Sequence, residues 1–334
     1  MNQRRVLVTG AGGFLGCAVS RRLAAEGFSV IAHGRTSHSL EPLSAQGISV
    51  APWDLQSASG AEILPTLGQL GAVVHCAGLS SNWGKRAAFQ SANVDATQSL
   101  IAQLLRFSGT PHFIYVSSSS LYFEPRDRLG VTEDQKLPAP INDYAWSKRA
   151  AEDIVRATGG LPATVVRPRG IYGHGDVALL PRLLRAVGRG PLPLFRGGRA
   201  VIDLTHVDDV AAAILAILRS PSEAGGKTYN VSGGEPIPVR EIVEQAAARI
   251  GLDVRWRPVP WPVARFAIRG LEWWHKAFRP TVEPYVTEYS AALMAFSQTL
   301  DIGAIAKDAG WRPAISFAEG LERTFNPRPD RTKL

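Results

Sequence analysis

The sequence predicts an α/β protein: a doubly wound parallel sheet with helices on both faces, followed by a smaller, mostly helical C-terminal subdomain. In the first half of the 334-residue chain, short β-branched apolar runs alternate with longer helical patterns, which is typical of parallel sheets with helical crossovers. After about residue 170 the strand-like runs become rare and helical patterns dominate. Right-handed crossovers give the first half its doubly wound order.

Six strands are predicted in the first half, because the short apolar runs there are bounded by glycine, proline or polar residues. In chain order they are Arg5–Val8, Ser29–His33, Ile48–Ala51, Ala72–Cys76, His112–Val116 and Ala163–Arg167. The longer helical patterns between them are Phe14–Glu26, Ala92–Phe107 and Tyr144–Ala157. Together these elements define a predicted sheet domain at residues 1–170.

Residues 171–330 are predicted to form the smaller subdomain. Its helical patterns are Leu179–Val187, Val207–Leu218, Val239–Ile250, Val263–Lys276 and Phe317–Thr324. Ser316 and Glu319 have the spacing of a capping box at the start of the last helix. The stretch Asp203–Leu218 is expected to return to the sheet side, so that the two lobes interleave.

Composition limits the class of protein. Apolar residues make up 45% and charged residues 20% of the chain, which is typical of a globular protein and excludes a disordered or collagen-like one. Two cysteines, Cys17 and Cys76, are too few for a disulfide scaffold and favour a reducing, cytoplasmic location. The first apolar run, Val6–Val8, is shorter than the roughly 7–15 residues of a secretory signal. No stretch reaches the roughly 18 apolar residues of a membrane span.

The net charge of +8 is basic, but the lysines and arginines are scattered along the chain. We find no nucleic-acid-binding motif among them. The excess is interpreted as a solvated surface, and the alternative is an anionic cofactor or an acidic substrate.

The segment RVLVTGAGGFLG, from Arg5 to Gly16, is predicted to be a strand, a glycine turn and the start of a helix. One glycine allows the tight turn, one lets the backbone approach a pyrophosphate, and one lets the helix pack on the strand. The positive end of the helix then faces the phosphates. The segment predicts a dinucleotide site of the Rossmann type, with contacts from Gly10, Gly13, Phe14, Leu15 and Gly16.

The residues after the second strand distinguish NAD(H) from NADP(H). An acidic residue there would bind the ribose 2′-hydroxyl of NAD, but VIAHGRTS contains no carboxylate. Arg35 offers a planar guanidinium to a 2′-phosphate, and Ser37 offers a hydroxyl. We therefore expect NADP(H) in preference to NAD(H). In the alternative interpretation, Arg35 stacks on the adenine or lies in solvent.

Tyr144 and Lys148, in YAWSK, are four residues apart and share one face of a predicted helix. The pKa of a phenol is about 10, which is too high for a general acid/base at neutral pH. A nearby ammonium stabilises the phenolate and lowers that pKa. A run of four serines, Ser117–Ser120, ends the fifth strand, and Tyr144 follows Ser118 by 26 residues.

These motifs together resemble the short-chain dehydrogenase/reductase superfamily. The glycine spacing in TGAGGFLG is similar to its extended branch, the NAD-dependent epimerase/dehydratase family. The resemblance covers nearly the whole chain, with specific motifs through about residue 235. It implies a catalytic set of Ser118, Tyr144 and Lys148, in which the serine is selected because it lies four residues before Tyr122. Ser119 and Ser120 lie next to it, and Ser119 is a candidate substrate contact.

Further cofactor contacts follow from the resemblance. Asp54, followed by Leu55, matches the contact to the adenine amino group, although a solvated loop aspartate is the alternative. Ala77 and Gly78 are small residues after the fourth strand that admit the dinucleotide. Asn93 either braces the active-site backbone or relays a proton. A metal role for the nearby His75 is not expected, since no second ligand has metal-site spacing.

The segment Arg167–Gly173 is expected to line the nicotinamide, with Pro168 packed on its ring. Arg169 is expected either to meet an acidic substrate or to pair with a structural carboxylate. Trp83, Arg169 and Gly170 are further candidate substrate contacts.

Two positions depart from the pattern of the sugar-nucleotide enzymes of this branch. Those enzymes usually carry asparagine where this chain has Gly170, and a diphosphate-binding arginine where it has Ile202. The chain looks more like the 3β-hydroxysteroid dehydrogenases and the bacterial 2-alkyl-3-oxoalkanoate reductases. The segments that carry this likeness are RPRGIYGHGD, the Asn-Trp-Gly at 82–84 and GKTYNVSGGEPIPVREIV. An apolar substrate, either a 3-keto acid or a 3-hydroxysteroid-like molecule, is therefore expected.

Residues 261–279 combine aromatic and basic residues. Arg265, Arg269, Glu272 and Lys276 share one helical face, while Phe266 and Trp273 can face the other way. We consider three interpretations: a helix packed on the core, a lid over a greasy substrate, and a membrane-surface helix.

Three functions are compatible with the sequence. The first is an NAD(P)-dependent oxidoreductase that interconverts an alcohol and a ketone on an apolar small molecule. The second is a nucleotide-sugar epimerase or dehydratase, and the third is a nucleotide sensor without chemistry, against which the Tyr144–Lys148 pair argues. The resemblance also implies a homodimer through the helices Ala92–Phe107 and Tyr144–Ala157, which the sequence supports only through apolar residues such as Leu100, Leu104 and Ile154.

Overall fold

The computed structural model describes residues 5–57, 59–106 and 110–326. Phe107, the last residue of one predicted helix, and residues 327–330 of the predicted subdomain lie outside the described residues.

Fifteen strands occur in the described residues, most of them short. They are β1 (Arg5–Thr9), β2 (Ser29–Gly34), β3 (Ser49–Pro52), β4 (Ala72–His75), β5 (His112–Val116), β6 (Arg128–Val131), β7 (Ala163–Pro168), β8 (Ile171–Tyr172), β9 (Leu192–Leu194), β10 (Val201–Ile202), β11 (Thr205–His206), β12 (Thr228–Val231), β13 (Ile237–Pro238), β14 (Trp256–Pro258) and β15 (Gln298–Leu300).

The α-helices of the described residues lie between these strands and after the last of them. They are α1 (Phe14–Ala25), α2 (Glu41–Ser44), α3 (Gly60–Thr66), α4 (Arg86–Phe89), α5 (Ala96–Leu104), α6 (Asp143–Ala157), α7 (Leu180–Val187), α8 (Val207–Arg219), α9 (Pro221–Ala224), α10 (Val239–Ala248), α11 (Trp261–Phe278), α12 (Glu288–Ala295), α13 (Gly303–Ala309) and α14 (Phe317–Phe325). A π-helical turn at Gln90–Asp95 joins α4 to α5.

Seven parallel strands form the central sheet, in the order β12-β7-β5-β4-β1-β2-β3. The chain adds strands on one side of β1 up to β3 and then on its other side from β4 onward. The gap between β1 and β4 is therefore the topological switch point, where such sheets bind ligands at the carboxyl ends of their strands. The predicted α/β class and Rossmann-type doubly wound sheet are therefore confirmed. All six predicted strands are present within two residues of their predicted limits.

Alternate residues of each strand point to opposite faces of the sheet, so the sheet has two cores. Val6 and Val8 of β1 face the layer of α1 and α8. Leu7, between them, faces the layer of α3, α5 and α6. Helix α8 packs on α1 against the central sheet, so the stretch Asp203–Leu218 lies on the sheet side, where it was expected.

Two features of the sheet domain were missed by sequence reasoning. The seventh strand, β12, comes from beyond residue 170 and pairs with β7, because the chain returns to the sheet edge after α8. The predicted helix Ala92–Phe107 is correct only in part. A π-helical turn occupies its first residues, and the regular helix α5 begins at Ala96. The domain limits at residues 170 and 171 stay a prediction.

The remaining elements form the smaller lobe, which contains short strands as well as the predicted helices. A four-stranded sheet in the order β13-β10-β15-β6 lies beside α7, α10 and α14. Ser316 caps α14 by accepting a hydrogen bond from the Glu319 amide at 3.3 Å. Helix α11 lies on the surface, and Ile268 is its single buried residue. Through Ile268 it packs on a small core cluster that includes residues of α12, so a helix packed on the core stays among its interpretations.

Candidate active site

The glycine turn between β1 and α1 has the geometry that the sequence predicts. Gly10 has a φ of +68°, and a Cβ there would lie 2.7 Å from the backbone of Ala77 at the end of β4. The Gly13 amide donates to the Gly10 carbonyl at 2.9 Å. A Cβ on Gly16 would collide with that same carbonyl. Larger residues would push the turn, the helix and β4 apart.

The N-terminus of α1 fits a pyrophosphate. Gly13 is its N-cap and supplies no side-chain hydrogen bond, and the first turn contains no acidic residue. The backbone N–H groups of that turn therefore remain available to an anion at the positive end of the helix. Phe14 and Leu15, which begin the helix, are partly exposed beside this position.

The end of β2 places Arg35 and Ser37 in solvent, beyond a buried histidine. His33 Nε2 lies 3.0 Å from the Trp53 carbonyl, and its ring packs edge-on against Trp53 with centroids 3.9 Å apart. Burial lowers the pKa of His33 to about 4, so it is neutral. Asp54 is exposed and accepts from the Gln56 amide at 2.9 Å, whereas Leu55 is buried.

Asn93 fastens the loop after β4 to the catalytic helix. Its Oδ1 accepts from the Leu79 amide at 2.6 Å. Its Nδ2 donates to the Leu79 carbonyl at 3.1 Å and to the Ser147 hydroxyl of α6 at 2.8 Å. These contacts join the loop after β4 to α6. Asn93 lies in the π-helical turn, which positions its side chain for them. Gly78 lies beside the amide, because a Cβ there would be 2.8 Å from Asn93 Oδ1.

Ser118 lies at the carboxyl end of β5, close enough to Tyr144 for its hydroxyl to influence the pKa of the phenol. Ser118 has extended backbone and caps the following 3₁₀ turn, its Oγ accepting from the Ser120 amide at 3.1 Å. Ser119 and Ser120 are buried, whereas Ser118 is partly exposed beside the phenol. Of the serines in the run, Ser118 is therefore the partly exposed one near the phenol, and its catalytic role stays a prediction.

Tyr144 starts the first turn of α6, which Asn142 caps by accepting from the Ala145 amide at 2.8 Å. Burial raises the pKa of Tyr144 above its ordinary value of 10.0, and hydrogen bonds from Ser118 and Ser80 partly counteract that rise. Ser80 was missed by sequence reasoning, and its position just after β4 is the signal that it belongs to the site.

Lys148 is one turn beyond Tyr144 on α6 and is almost fully buried. Its Nζ donates to the Val116 carbonyl and lies 4.4 Å above the Tyr115 ring. Burial lowers the pKa of Lys148 to about 8. The lysine is thus held by β5, and it is not among the groups that shift the pKa of Tyr144.

We expect raising the pH from about 8 to about 10 to stabilise the wild-type protein relative to Lys148→Met. The folded pKa of about 8 lies below the ordinary lysine pKa of 10.5, so between these pH values the unfolded chain holds a proton that the folded chain has released. Stability then rises with pH, by about 2 kcal/mol over this interval. Urea unfolding of both proteins at the two pH values measures it. Equal changes in both would show that Lys148 keeps an ordinary pKa.

A buried ionic network lies behind the catalytic helix. Arg167 of β7 pairs with Glu152 of α6, and both side chains are at most 2% exposed. Glu152 also accepts from the Ser117 hydroxyl at 2.7 Å, and Arg167 donates to the Tyr122 hydroxyl at 2.5 Å. The Arg167 guanidinium is used to hold α6 against the sheet, and the expectation that the segment Arg167–Gly173 lines the nicotinamide stays a prediction.

Arg169, two residues further on, lies just beyond the end of β7. It is 4% exposed, and its Nε is 3.6 Å from Asp203, a distance beyond hydrogen bonding. Its Nε and Nη2 are buried without a hydrogen-bond partner in the described residues. Tyr289 of α12, missed by sequence reasoning, has its pKa raised to about 12 by burial, and the charges of both Arg169 and Tyr144 act on it. Arg169, Tyr144 and Tyr289 are therefore near enough to one another for their charges to interact.

The other predicted contacts, Pro168, Gly170 and Trp83, differ in how far they are buried. Pro168 is buried at the end of β7. Gly170 has a φ of +42°, and a Cβ there would lie 2.6 Å from Leu204. Trp83 is partly buried and donates from Nε1 to the Pro280 carbonyl at 3.1 Å, so it contacts the segment after α11 instead of the catalytic residues.

Among the described residues, no three histidine, cysteine or acidic side chains are grouped to hold a metal. His75 is instead held between the hydroxyls of Thr9, at 2.7 Å, and Thr97, at 2.9 Å. Within the same residues, no helix is long and apolar enough to cross a membrane.

Comparison with known proteins agrees with this geometry. A model of the NAD dependent epimerase/dehydratase family matches residues 6–232. The chain is 31% identical to uncharacterized protein YbjS of Escherichia coli (strain K12), over 99% of both chains. It is 32% identical to 2-alkyl-3-oxoalkanoate reductase of Stenotrophomonas maltophilia (strain K279a), over 96% of this chain and 98% of that relative.

The fold is shared with solved structures. UDP-glucuronic acid 4-epimerase from Bacillus cereus, in complex with NAD, superposes with a TM-score of 0.74 at 20% identity, over 96% of this chain and 97% of that one. The chain belongs to the NAD dependent epimerase/dehydratase family and is an NAD(P)-dependent enzyme of the extended short-chain dehydrogenase/reductase type.

Proposed function

We propose that the protein is an NADP(H)-dependent reductase that interconverts a ketone and a secondary alcohol on an apolar 3-oxo acid. The observation that carries this proposal is the arrangement of Ser118, Tyr144 and Arg169. The Ser118 and Tyr144 hydroxyls are close to each other, and Arg169 is a buried cation that pairs with Asp203 at 3.6 Å while its Nε and Nη2 make no hydrogen bond within the described residues.

The glycine turn and the first turn of α1 would hold the pyrophosphate of the cofactor, and Lys148 would hold the ribose. When bound, the cofactor supplies the hydride. Tyr144 then donates its proton to the substrate oxygen, which carries negative charge as the ketone is reduced. Ser118 orients that oxygen with a hydrogen bond, and its preorganised hydroxyl stabilises the developing charge.

Arg169 distinguishes an acid from a neutral steroid-like ketone. A buried guanidinium that makes no hydrogen bond in the described residues loses much of its solvation without full compensation. A substrate carboxylate accepts two parallel hydrogen bonds from such a group. The relative named 2-alkyl-3-oxoalkanoate reductase has a name that describes a substrate with a carboxylate and a 3-oxo group. Asp203 keeps Arg169 in place and leaves its outer nitrogens available.

A nucleotide-sugar epimerase or dehydratase is the second candidate, since the B. cereus neighbour acts on a UDP-sugar. Ile202, at the position where sugar enzymes usually carry a diphosphate-binding arginine, is buried in the small lobe's core. An aliphatic side chain there provides no charge for a diphosphate. A nucleotide sensor remains the third candidate, and it requires no buried lysine beside a tyrosine.

A substrate panel tests the proposal. NADPH oxidation is followed with a long-chain 3-oxo acid, its methyl ester, a 3-ketosteroid, and UDP- and dTDP-sugars. We expect turnover of the acid, with the ester at least about tenfold poorer in kcat/KM because it carries no charge for Arg169. Turnover of a nucleotide sugar alone would overturn the proposal, and turnover of none would favour the sensor.

NADP(H) preference is expected to depend on Arg35. Its exposed guanidinium can make a charge-assisted contact with the 2′-phosphate, which NAD lacks. Arg35→Ala should raise KM for NADPH by about tenfold or more and leave KM for NADH nearly unchanged. Steady-state kinetics with both cofactors measures this. Equal effects on the two would show that Arg35 does not bind the 2′-phosphate.

We further propose a cytoplasmic homodimer formed through α5 and α6. Leu100 and Leu104, which supported this pairing in the sequence, are fully buried in the chain's own core and do not argue for a dimer. Ile154 on α6 is partly exposed and remains available to a partner helix. Light scattering at micromolar concentration tests the oligomeric state, and a monomer mass would contradict it.

A further inference from the structure

We propose that the outward face of α11 docks the protein onto an anionic lipid bilayer. Twelve large apolar side chains are exposed in the described part of the chain, and eight of them fall between residues 263 and 285. Phe266 is 84% exposed, Trp273 68% and Phe278 65%. Soluble proteins rarely leave so many large apolar groups together in water, and such a patch marks an interaction surface.

The orientation of α11 is the reverse of that of an ordinary surface helix. At 100° per residue, nine residues without a charge fall within one arc of roughly 160°. All nine are exposed, and we call them the outward face: Val263, Phe266, Ala267, Gly270, Leu271, Trp273, Trp274, Ala277 and Phe278. Charged residues occupy the opposite side, next to the protein.

The inward side of α11 is fixed by polar contacts. Arg265 donates from Nε to Glu288 of α12 at 2.7 Å, and the Glu288 amide donates to Glu272 at 2.8 Å. Ile268 fills the small core cluster beneath the helix. The helix therefore cannot turn its apolar face inward without breaking these contacts.

Charge favours a lipid surface as the occupant. The segment 261–285 has four basic residues and two acidic ones. Lys276 and Arg279 have no ion pair among the described residues and both are exposed, and Arg279 Cζ lies 5.6 Å from the ring of Trp274 on the outward face. A helix with aromatic residues on one face and basic residues at its edge lies flat in the headgroup region of anionic membranes.

The location of α11 connects this surface to the active site. Trp83 contacts its C-terminal end, with its ring 5.7 Å from Lys276 Nζ and its Nε1 bonded to the Pro280 carbonyl. Trp83 belongs to the loop that begins at Leu79 and Ser80, beside Tyr144. A docked enzyme would thus hold its active-site loop at the membrane, where apolar molecules accumulate.

Vesicle co-sedimentation tests the docking. The full chain is mixed with vesicles of phosphatidylglycerol and phosphatidylcholine, or of phosphatidylcholine alone. We expect binding to the anionic vesicles, weakened by salt, and a fall of roughly 100-fold in the partition coefficient for F266S/W273S/F278S. The matched control, L129S/V177S, removes exposed apolar residues elsewhere and should bind like wild type.

Thermal unfolding shows whether each variant is folded, and sedimentation equilibrium reports the oligomeric state. Absence of wild-type binding to anionic vesicles would overturn the proposal, as would full binding by a folded triple variant. If the triple substitution instead dissociated a dimer while vesicle binding was absent, the outward face would be an interface between copies.

Discussion

Tyr144→Phe is expected to lower turnover by roughly 10²–10⁴-fold while leaving NADPH affinity nearly unchanged. The substitution keeps the ring on α6 and removes only the hydroxyl that lies beside Ser118 and Ser80. Without that hydroxyl, no other group in the described site is placed to give its proton to the substrate oxygen. Stopped-flow single turnover measures the chemical step, and fluorescence titration with NADPH measures binding.

The controls separate proton donation from damage to the site. Ser118→Ala should lower turnover less, because a hydrogen bond to the oxygen is lost but the proton donor remains. Tyr115→Phe changes a buried tyrosine on β5. The tyrosine hydroxyl makes only a long hydrogen bond, 3.5 Å, to the Lys148 carbonyl, so little is lost with it. The substitution should leave turnover within a few-fold of wild type. Near-normal turnover by Tyr144→Phe would contradict the assignment of the general acid.

Arg169→Gln is expected to lower kcat/KM for the 3-oxo acid by roughly 10²–10³-fold, since truncating one partner of a buried charge pair costs about 2–5 kcal/mol. The methyl ester carries no charge for Arg169, so kcat/KM for the ester should fall by less than about tenfold. The acid-to-ester ratio is the readout that a merely structural role would not change. General disruption of the site would lower kcat/KM for both substrates by the same factor.

The Asp203 carboxylate needs a matched control, because Arg169→Gln leaves it buried without its cation. Asp203 also accepts from the Ser232 hydroxyl at 2.5 Å and from the Leu300 amide at 3.1 Å, so it has other partners. Arg169→Lys keeps the charge but loses the planar pair of donors. It should retain the fold and recover part of the preference for the acid. A ratio unchanged from wild type in both variants would place the carboxylate elsewhere.

The fold and the centre of the site were predictable because their determinants are local. A strand, turn and helix in which Gly10, Gly13 and Gly16 have fixed spacing determine the position of a phosphate without reference to distant residues. Tyr144 and Lys148 share a helix face by periodicity alone. The choice among the serines was harder. Only the backbone at the end of β5 shows that Ser118 faces the phenol while Ser119 and Ser120 turn inward.

The residues missed or misplaced by sequence reasoning depend on distant parts of the chain. Arg167 and Arg169 are two residues apart on one segment, yet Arg167 pairs with Glu152 and Arg169 pairs with Asp203. The alternation of side chains along a strand does not separate them, because their different partners come from α6 and from the segment before β11. Tyr289 reaches the site from more than a hundred residues away.

The sequence by itself determined the α/β class, the sheet, the dinucleotide turn and the Tyr144–Lys148 pair, because each depends on short-range spacing that any fold must obey. Only the tertiary structure decided that Arg167 pairs with Glu152 inside the core, that Lys148 is held by the Val116 carbonyl, and that α11 turns its apolar face outward. Periodicity shows that a helix has an apolar face. Whether that face meets the core or the solvent depends on which neighbours fold against it.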